Sequence, residues 1–373
     1  MKKRSSSQPS QKRTMKAKRT QKFVTIGVDL GDRNSRYCRL SSDGEILREG
    51  QVPTTKAGMM ATFGSWGRVR IAIEVGTHSP WVSRLLAGLG HEVIVANPRQ
   101  VKLITESTRK DDRLDAQTLA RLARIDPQLL RPIQHRSEKA QTALMVIRVR
   151  AALIAVRTSL GNTARGWAKA MGERLPKCDA DQMGVLKAES VPAKLRPLRE
   201  PLLKEVESLT EKIKDSDREI EQIAREDYPE TELLQQVGGV GPLIALSFVL
   251  TVDDKNRFQK SRYIGGYVGL RPRRSDSGQR QPQLRITKEG DPYLRTMLVQ
   301  GAHYILSRRG PDTDLKRWGL RLAERGGKRG KKKAIVAVAR KLGILLHRLW
   351  VTGEVYEPLR NQNLRKLPRE VAA

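Results

Sequence analysis

The chain has 373 residues, of which 72 are lysine or arginine and 40 are acidic, so its formal net charge is +32. A chain this basic repels itself unless a polyanion neutralises it, and DNA or RNA is the natural partner because phosphate contacts and counterion release supply the binding energy. The length allows two or three domains. Aromatic residues are only 4% of the chain, so base stacking is not the main binding mode. A ribosomal or chromatin-coating protein would carry a similar charge and stays an alternative.

Other classes are disfavoured by what the sequence lacks. The two cysteines, Cys38 and Cys178, lie far apart, and no Cys/His spacing is that of a zinc finger. A disulfide framework is therefore not expected. No apolar run approaches the roughly 18 residues of a membrane span, and the N-terminus lacks the apolar stretch of a signal peptide. The low number of cysteines fits a reducing cytosol.

The first elements alternate strands with helices. Residues 1–22 are basic and polar, and we predict a disordered arm, with an inert tail as the alternative. The order that follows, three strands, a helix, a strand, a helix, a strand and a helix, is that of an RNase H-like fold, which we predict for residues 23–135. The predicted strands are 23–29, 35–41, 45–53, 69–74 and 92–95, and the predicted helices are 56–66, 80–88 and one from about residue 97.

Residues 136–230 are predicted to be a helical linker and coiled coil, beginning with a long helix over 136–172. Farther along, apolar positions alternate spacings of four and three, as in a coiled coil. We predict self-association through this stripe, with packing inside one chain as the alternative. The stripe consists of Leu202, Val206, Leu209, Ile213, Ser216, Ile220 and Ile223.

The C-terminal part, 231–355, is predicted to be mostly helical and is followed by a tail at 356–373. Residues 234–243 are similar to the hairpin of a helix-hairpin-helix, in which Gly239 and Gly241 would bring backbone N–H groups to a phosphate. An ordinary glycine-rich connection is the alternative. A basic cluster before a helix at about 334–350 is predicted to contact the nucleic-acid backbone. It includes Lys328, Arg329, Lys331 and Lys332.

Four acidic residues stand against the prevailing charge. Asp29 and Glu74 each end an apolar run that is predicted to be a strand, while Asp112 and Asp115 share one face of a predicted helix at 112–123. Carboxylates placed in this way suit Mg²⁺, which prefers oxygen ligands; Mn²⁺ could substitute for it. Asp111 is four residues before Asp115 and could take its place geometrically.

A second candidate site lies in the polar loop at 269–295. Ser277 precedes Gly278, and a serine hydroxyl must be activated before it can act as a nucleophile. Asp-Ser-Gly is also a common turn, which is the favoured interpretation of these residues taken alone, and Ser275 is a rival. Clustered cations around Ser277 would bind nucleic acid and stabilise charge on a phosphorane-like transition state. They are Arg273, Arg274, Arg280, Arg285 and Lys288.

Taken together, these motifs resemble the DEDD-type insertion-sequence transposases of the IS110 family, and within it the IS1111 group. The resemblance covers roughly 23–355, and its strength lies in the shared order of weak motifs. Asp111 departs from the family, which often has Thr or Asn there, and the arm before Phe23 is extra. The motifs are Gly27-Val28-Asp29, Ile73-Glu74, Asp112-Arg113-Leu114-Asp115-Ala116, Tyr267-Val268-Gly269-Leu270, Ser277-Gly278 and Arg285-Ile286-Thr287-Lys288.

The resemblance implies a RuvC-like domain whose metal ligands are Asp29, Glu74, Asp112 and Asp115, a coiled-coil insertion, and a transposase domain with Ser277 as nucleophile. It also implies a structured noncoding RNA, a bridge RNA, that pairs with target and donor DNA. The carboxylates of one subunit and the serine of another would form a composite site in a dimer or a synaptic tetramer. Serine attack would leave a phosphoserine and a free 3′ hydroxyl.

Three rivals remain. A RuvC-like nuclease or Holliday-junction resolvase would share the acidic site but use water, so only a covalent protein–DNA adduct separates the two. An actin-like sugar kinase is suggested by Ile26-Gly27-Val28-Asp29-Leu30-Gly31, but no second glycine-rich loop with an aspartate follows, and the charge of +32 disfavours it. A non-catalytic RNA-binding protein would leave the four acids unexplained.

Overall fold

The computed structural model describes residues 24–97, 111–184, 186, 191–282 and 284–361. The chain divides into two compact units, one reaching to His135 and the other beginning at Arg136. The predicted basic arm, almost all of the helix predicted from residue 97, and residues 362–373 of the predicted tail lie outside the described residues.

The first unit contains a mixed five-stranded sheet with the order β3-β2-β1-β4-β5. Strands β1, β4 and β5 are parallel, and β2 is antiparallel to both of its neighbours. This α/β arrangement is consistent with the RNase H-like domain that the sequence predicts. The strands are β1 Thr25–Asp29, β2 Asn34–Leu40, β3 Ile46–Pro53, β4 Arg70–Glu74 and β5 Glu92–Ala96.

Helices cover both faces of this sheet. They are α1 Lys56–Phe63, α2 Ser79–Gly88 and α3 Asp112–Ile125. Alternate residues of a strand point to opposite faces. Ile26 and Ile71 accordingly share a buried cluster with side chains of α1 and α2, whereas Ala72 shares one with Leu119 of α3. The strands are therefore apolar on both faces, as expected for buried parallel strands.

The second unit is helical. Helices α4 and α5 pack against each other, and the helices that follow them enclose a separate apolar core around Phe248 and Trp350. Its helices are α4 Glu138–Ala170, α5 Lys204–Glu226, α6 Glu230–Gln235, α7 Pro242–Val252, α8 Ile264–Tyr267, α9 Pro292–Leu306, α10 Asp314–Arg325 and α11 Gly330–Thr352. Short helical turns occur at Pro127–Leu130 in the first unit and at Ala193–Leu198, Arg199–Leu203, Lys255–Arg257, Ser261–Tyr263 and Gly327–Arg329 in the second.

The apolar stripe on α5 corrects one prediction. Val206 is 1% exposed and Ile220 is 1% exposed, so this surface is already buried within one chain. Ile220 clusters with Leu144 near the start of α4, and Val206 clusters with Ala164 near its end. The stripe is thus the seam of an intramolecular helix pair, and it is not available for self-association.

Across the described part of the chain, no helix is both long enough and apolar enough to cross a lipid bilayer.

Candidate carboxylate site and serine arm

Asp29 and Glu74 end neighbouring strands at the same edge of the sheet. Strands β1 and β4 are parallel with Val28 opposite Ile73, so the next residue of each strand is one of the two acids. The two-residue alternation puts Asp29 on the same face as Gly27, and Glu74 on the same face as Ala72. That face is the one that α3 covers.

Gly27 lets α3 lie directly on β1. A Cβ atom at this position would come 2.0 Å from the carbonyl oxygen of Ala116 and 2.5 Å from the backbone nitrogen of Ala120. Ala116 and Ala120 are themselves fully buried, which keeps this face of the helix flat. Because Asp112 and Asp115 occupy the first turn of α3, this close approach carries both carboxylates to the edge of the sheet.

The four predicted acids lie close enough to affect one another's ionisation. Burial, followed by the neighbouring carboxylates of Asp112, Asp115 and Glu74, raises the pKa of Asp29 to about 6. Burial also raises the pKa of Glu74, with a smaller contribution from Asp115. Like charges at short range disfavour ionisation, which accounts for part of the rise in both pKa values.

Asp111, the rival of Asp115, has a different place in the structure. It precedes α3 and accepts a hydrogen bond from the backbone N–H of Arg113 at 2.9 Å. Its side chain therefore caps the helix, which is a common role for aspartate at this position. The cap fixes the first turn, in which Asp112 and Asp115 lie.

The donor set at this edge fits a hard divalent cation. It offers several carboxylate oxygens, which are the ligands that Mg²⁺ prefers. Within the described residues, no three acidic, imidazole or thiol groups are arranged to hold a metal ion as they stand. This arrangement still suits Mg²⁺, because proteins commonly hold that ion through one or two carboxylates, with waters and substrate phosphates completing the shell.

Ser277 lies at the tip of a hairpin, which we call the serine arm (residues 271–287). Its two sides are joined by backbone hydrogen bonds from Arg273 to Arg285 and from Thr287 to Arg271, each 2.9 Å long. At the tip, Ser277 and Arg280 exchange backbone hydrogen bonds of 3.1 and 2.9 Å around Gly278, whose φ is 53°. The sequence predicted a polar loop, and the structure gives it a defined shape.

The serine arm presents its hydroxyl and its cations to solvent. Residues 271–281 are all exposed, and so are Arg285 and Lys288. Ser277 and the five predicted basic residues are therefore all accessible to a nucleic acid in solution. Ser275, the rival, is exposed on the same arm.

Two glycines form the neck of the serine arm, a feature that sequence reasoning missed. A Cβ atom at Gly269 would lie 2.1 Å from the carbonyl oxygen of Glu289, and one at Gly290 would lie 1.9 Å from that of Tyr267. Arg295 clamps this crossing by donating from Nη1 to the carbonyl oxygens of Val268 and Glu289, at 3.1 and 2.8 Å. The glycine in the Tyr267-Val268-Gly269-Leu270 motif is the sequence signal from which this close backbone crossing could have been predicted.

The glycine-rich segment that was predicted to be similar to the hairpin of a helix-hairpin-helix connects α6 to α7. Gly239 has a φ of 90°, and a Cβ atom there would lie 2.9 Å from a ring carbon of Tyr304. Gly239 is therefore packed against α9. Gly241 has open space around it, because a Cβ atom there would meet nothing within 4 Å. Phosphate binding by this segment stays a prediction.

The last basic cluster lies at the start of α11, where Arg329, Lys331 and Lys332 are exposed. Positive side chains at a helix N-terminus oppose the helix dipole. A bound phosphate would relieve this repulsion, and anions are well accommodated at such ends. The arrangement agrees with a role for the cluster in nucleic-acid binding, which stays a prediction. Lys328 belongs to the same predicted set.

Two sequence-family models match this chain, and both describe transposases. A family model described as a transposase matches residues 26–170, which include all four acids. A second model, described as the transposase IS116/IS110/IS902 family, matches residues 231–316, which include Ser277. The acidic unit and the serine arm thus both belong to transposase sequence families.

Individual relatives make the assignment specific. The transposase for insertion sequence element IS1111A of Coxiella burnetii is 29% identical over 355 residues, covering 91% of this chain and 93% of that protein. The transposase-like protein y4pF/y4sB of Sinorhizobium fredii is 30% identical, covering 92% of this chain and 88% of that protein. The transposase for insertion sequence element IS1328 of Yersinia enterocolitica is 26% identical over 76% of this chain and 84% of that protein. The chain belongs to the IS110 family of insertion-sequence transposases, DNA-transposing enzymes, as the motifs predicted.

Proposed function

We propose that the chain cleaves and exchanges DNA strands through a covalent serine–DNA intermediate, with Mg²⁺ at the carboxylate site and a structured noncoding RNA as guide. The observation that carries the proposal is the coupling of the four acids, since Asp29 has a pKa raised to about 6 by burial and by the other three. Carboxylates that repel one another at one sheet edge would be stabilised by a divalent cation bound between them.

The carboxylates would act on the scissile phosphate. Asp29 and Glu74, at two strand ends, would hold a divalent ion together with Asp112 and Asp115 of α3. When bound, such an ion stabilises the charge that develops on phosphate oxygens and leaving group. The acidic side chains also accept protons, so one of them would take the proton that the serine hydroxyl loses. The buried edge excludes part of the surrounding water and strengthens these interactions.

Ser277 would be the nucleophile. Its Oγ would form a bond to phosphorus while the bond from phosphorus to the 3′ oxygen breaks, giving a phosphoserine and a 3′ hydroxyl. That hydroxyl would then attack a phosphoserine on the partner strand and release the serine, so the bond energy is kept and no nucleotide cofactor is consumed. Arg273, Arg274 and Arg280 of the exposed serine arm would stabilise the phosphate charge.

The nucleic-acid partners would be the element-end DNA, the target DNA and the guide RNA. The serine arm and the exposed residues Arg329, Lys331 and Lys332 offer backbone contacts, which either DNA or RNA could accept. The guide would supply sequence selection by base pairing. A low aromatic content of 4% agrees with recognition through phosphates and pairing rather than through stacking.

A second copy of the chain would dock on α4. One face of this helix exposes apolar side chains at spacings of four, seven, eleven and four, which all fall on the same side. Exposed apolar stripes of this length on a basic protein favour a protein partner. A composite site, with carboxylates from one copy and serine from another, requires such a dimer. The stripe consists of Met145, Val149, Val156, Trp167 and Met171, each 49–55% exposed.

The test is a search for the covalent adduct on a denaturing gel. Purified protein is mixed with labelled element-end DNA, the RNA that flanks the gene, and Mg²⁺. We expect an adduct in the wild type and in Ser275→Ala, and none in Ser277→Ala, while Ser277→Ala still binds the RNA. Cleavage without an adduct would instead identify a water-using nuclease. Recombinant product from Ser277→Ala would refute the nucleophile assignment.

A further inference from the structure

Two loops leave the carboxylate edge of the sheet and meet beside it. Residues 30–33 follow Asp29 of β1, and residues 75–78 follow Glu74 of β4. Because β1 and β4 are adjacent and parallel, both loops begin at the same edge. They are joined by His78, whose Nε2 lies 3.5 Å from Oδ1 of Asp32. An imidazole thus bridges the two loops that follow the acids Asp29 and Glu74.

Trp81 determines which nitrogen of this imidazole carries the proton. The indole Nε1 of Trp81 donates a hydrogen bond of 3.1 Å to Nδ1 of His78, and the two rings meet edge to face with centroids 6.1 Å apart. An indole N–H can only donate, so Nδ1 must be the acceptor. In the neutral imidazole the proton is then on Nε2, which is the nitrogen directed toward Asp32.

Both loops are held in place, so this N–H is preorganised. The loop before His78 is fixed by Ser79, which is fully buried and whose Oγ accepts from the backbone N–H of Gly76 at 2.9 Å and donates to the carbonyl oxygen of Gly76 at 2.8 Å. The loop that contains Asp32 is fixed by Thr54, whose hydroxyl donates to the carbonyl oxygen of Gly31 at 2.9 Å. Fixed donors stabilise developing charge more effectively than mobile ones.

We propose that His78 is a catalytic residue, whose Nε2–H donates a hydrogen bond to a nonbridging oxygen of the scissile phosphate at the carboxylate site. Asp32 provides the acceptor when nucleic acid is absent: its side chain is 94% exposed and its contact of 3.5 Å is long, so a phosphate oxygen can replace it. The ligand is a phosphodiester of the DNA backbone. The inference rests on the proposed function only in placing the scissile phosphate at the four carboxylates, and it is independent of Ser277.

The test compares strand cleavage at saturating DNA and RNA in the presence of Mg²⁺, with binding measured separately. Removing one fixed donor to a developing oxyanion costs about 100-fold in rate, so we expect His78→Ala to lose about that factor while binding stays near wild type. His78→Gln, which can place an amide N–H near the position of Nε2, should recover part of the loss. Trp81→Phe keeps an aromatic ring but no N–H, and should cost about 5-fold because the tautomer is no longer fixed. The exposed His303, changed to alanine, is the matched control.

A sulfur substitution in the DNA separates contact from a merely structural effect. Sulfur accepts hydrogen bonds poorly, so one phosphorothioate diastereomer at the scissile phosphate should slow the wild type more than His78→Ala. An unchanged rate in His78→Ala, or an equal thio effect in both proteins, would overturn the inference. If the wild type cleaves without an adduct and His78→Ala still loses rate, the inference stands, and only the serine step of the proposed function falls.

Discussion

Gly27 of β1 and Ala116 of α3 approach so closely that a Cβ atom on the glycine would lie 2.0 Å from the alanine carbonyl oxygen. This contact joins the two halves of the carboxylate site. Asp29 lies two residues after Gly27, and Asp115 immediately precedes Ala116. The helix contacts the strand at Gly27, where no side chain intervenes. Gly27 takes no part in the chemistry, but it determines how close the acids of the helix come to those of the strands.

Gly27→Ala is therefore expected to separate α3 from β1. Overpacking of a well-packed interface commonly costs about 1–3 kcal/mol, and the two atoms nearest to the added Cβ are backbone atoms that cannot rotate away. We expect a lower melting temperature and at least a tenfold loss of DNA cleavage, since the acids are moved apart. Gly88→Ala is the control, because a Cβ atom at Gly88 would meet nothing within 4 Å. A Gly27→Ala protein with wild-type cleavage would show that the acids do not depend on this contact.

Asp29→Asn is expected to stabilise the protein in the absence of divalent cations. The native carboxyl has a pKa raised to about 6, against an ordinary value of 3.8, so folding favours its protonated form. In the wild type, the stability contributed by the protonated Asp29 carboxyl is present below about pH 4 and is lost as the pH rises through about 6, because the unfolded chain ionises first. The advantage of the variant therefore appears at higher pH. A pKa difference of about two corresponds to about 3 kcal/mol of unfolding free energy, and solvent screening of this half-exposed group reduces it to about 1 kcal/mol.

Thermal denaturation measures this effect. At about pH 8 and without Mg²⁺, Asp29→Asn should melt a few degrees above the wild type, and the difference should shrink at about pH 4. Adding Mg²⁺ should raise the melting temperature of the wild type more than that of the variant, while cleavage by the variant is lost. Glu45→Gln, on the exposed turn before β3, is the control. Equal responses of wild type and Asp29→Asn to Mg²⁺ would refute the metal assignment.

Gly290→Ala, a substitution in the neck of the serine arm, is expected to displace the arm and reduce adduct formation. A Cβ atom there would lie 1.9 Å from the carbonyl oxygen of Tyr267, at a φ of 73° that disfavours any side chain. The arm would have to tilt, so adduct formation should fall at least tenfold while RNA binding is retained. Gly172→Ala is a matched control, because its φ of 76° imposes the same strain but a Cβ atom there meets nothing within 4 Å. Adduct formation that falls equally in both variants would assign the effect to backbone strain alone.

Charges on the exposed face of α4 are expected to prevent self-association. Val149 is 55% exposed and Val156 is 49% exposed, so glutamates at both positions should leave the fold intact while burying two charges in any dimer. Sedimentation velocity should show a dimer in the wild type and a monomer in the double variant. Leu47→Glu, at a side chain that is 53% exposed on β3, is the control. A wild type that sediments as a monomer with and without nucleic acid would refute docking on α4.

Much of the fold could be predicted from local pattern. The strands of the first unit agree with their predicted spans to within about two residues, because apolar runs and turn residues are local signals. The long helix over 136–172 is found as Glu138–Ala170 for the same reason. The stripe on α5 was predicted correctly as a helical seam but assigned to the wrong partner, since periodicity gives the buried face of a helix and not what covers it.

The sequence by itself determined the net charge, most of the helices and strands, the four candidate acids and the family. Each of these depends on residue type, on residue spacing or on the order of motifs along the chain. Only the tertiary structure decided that Gly27 lets Asp112 and Asp115 reach Asp29, that Asp111 caps a helix, and that α4 rather than α5 exposes an apolar face. It also decided that Trp81 orients His78 toward Asp32. These relationships join residues distant in sequence, or depend on the direction of a side chain, and neither is set by local periodicity.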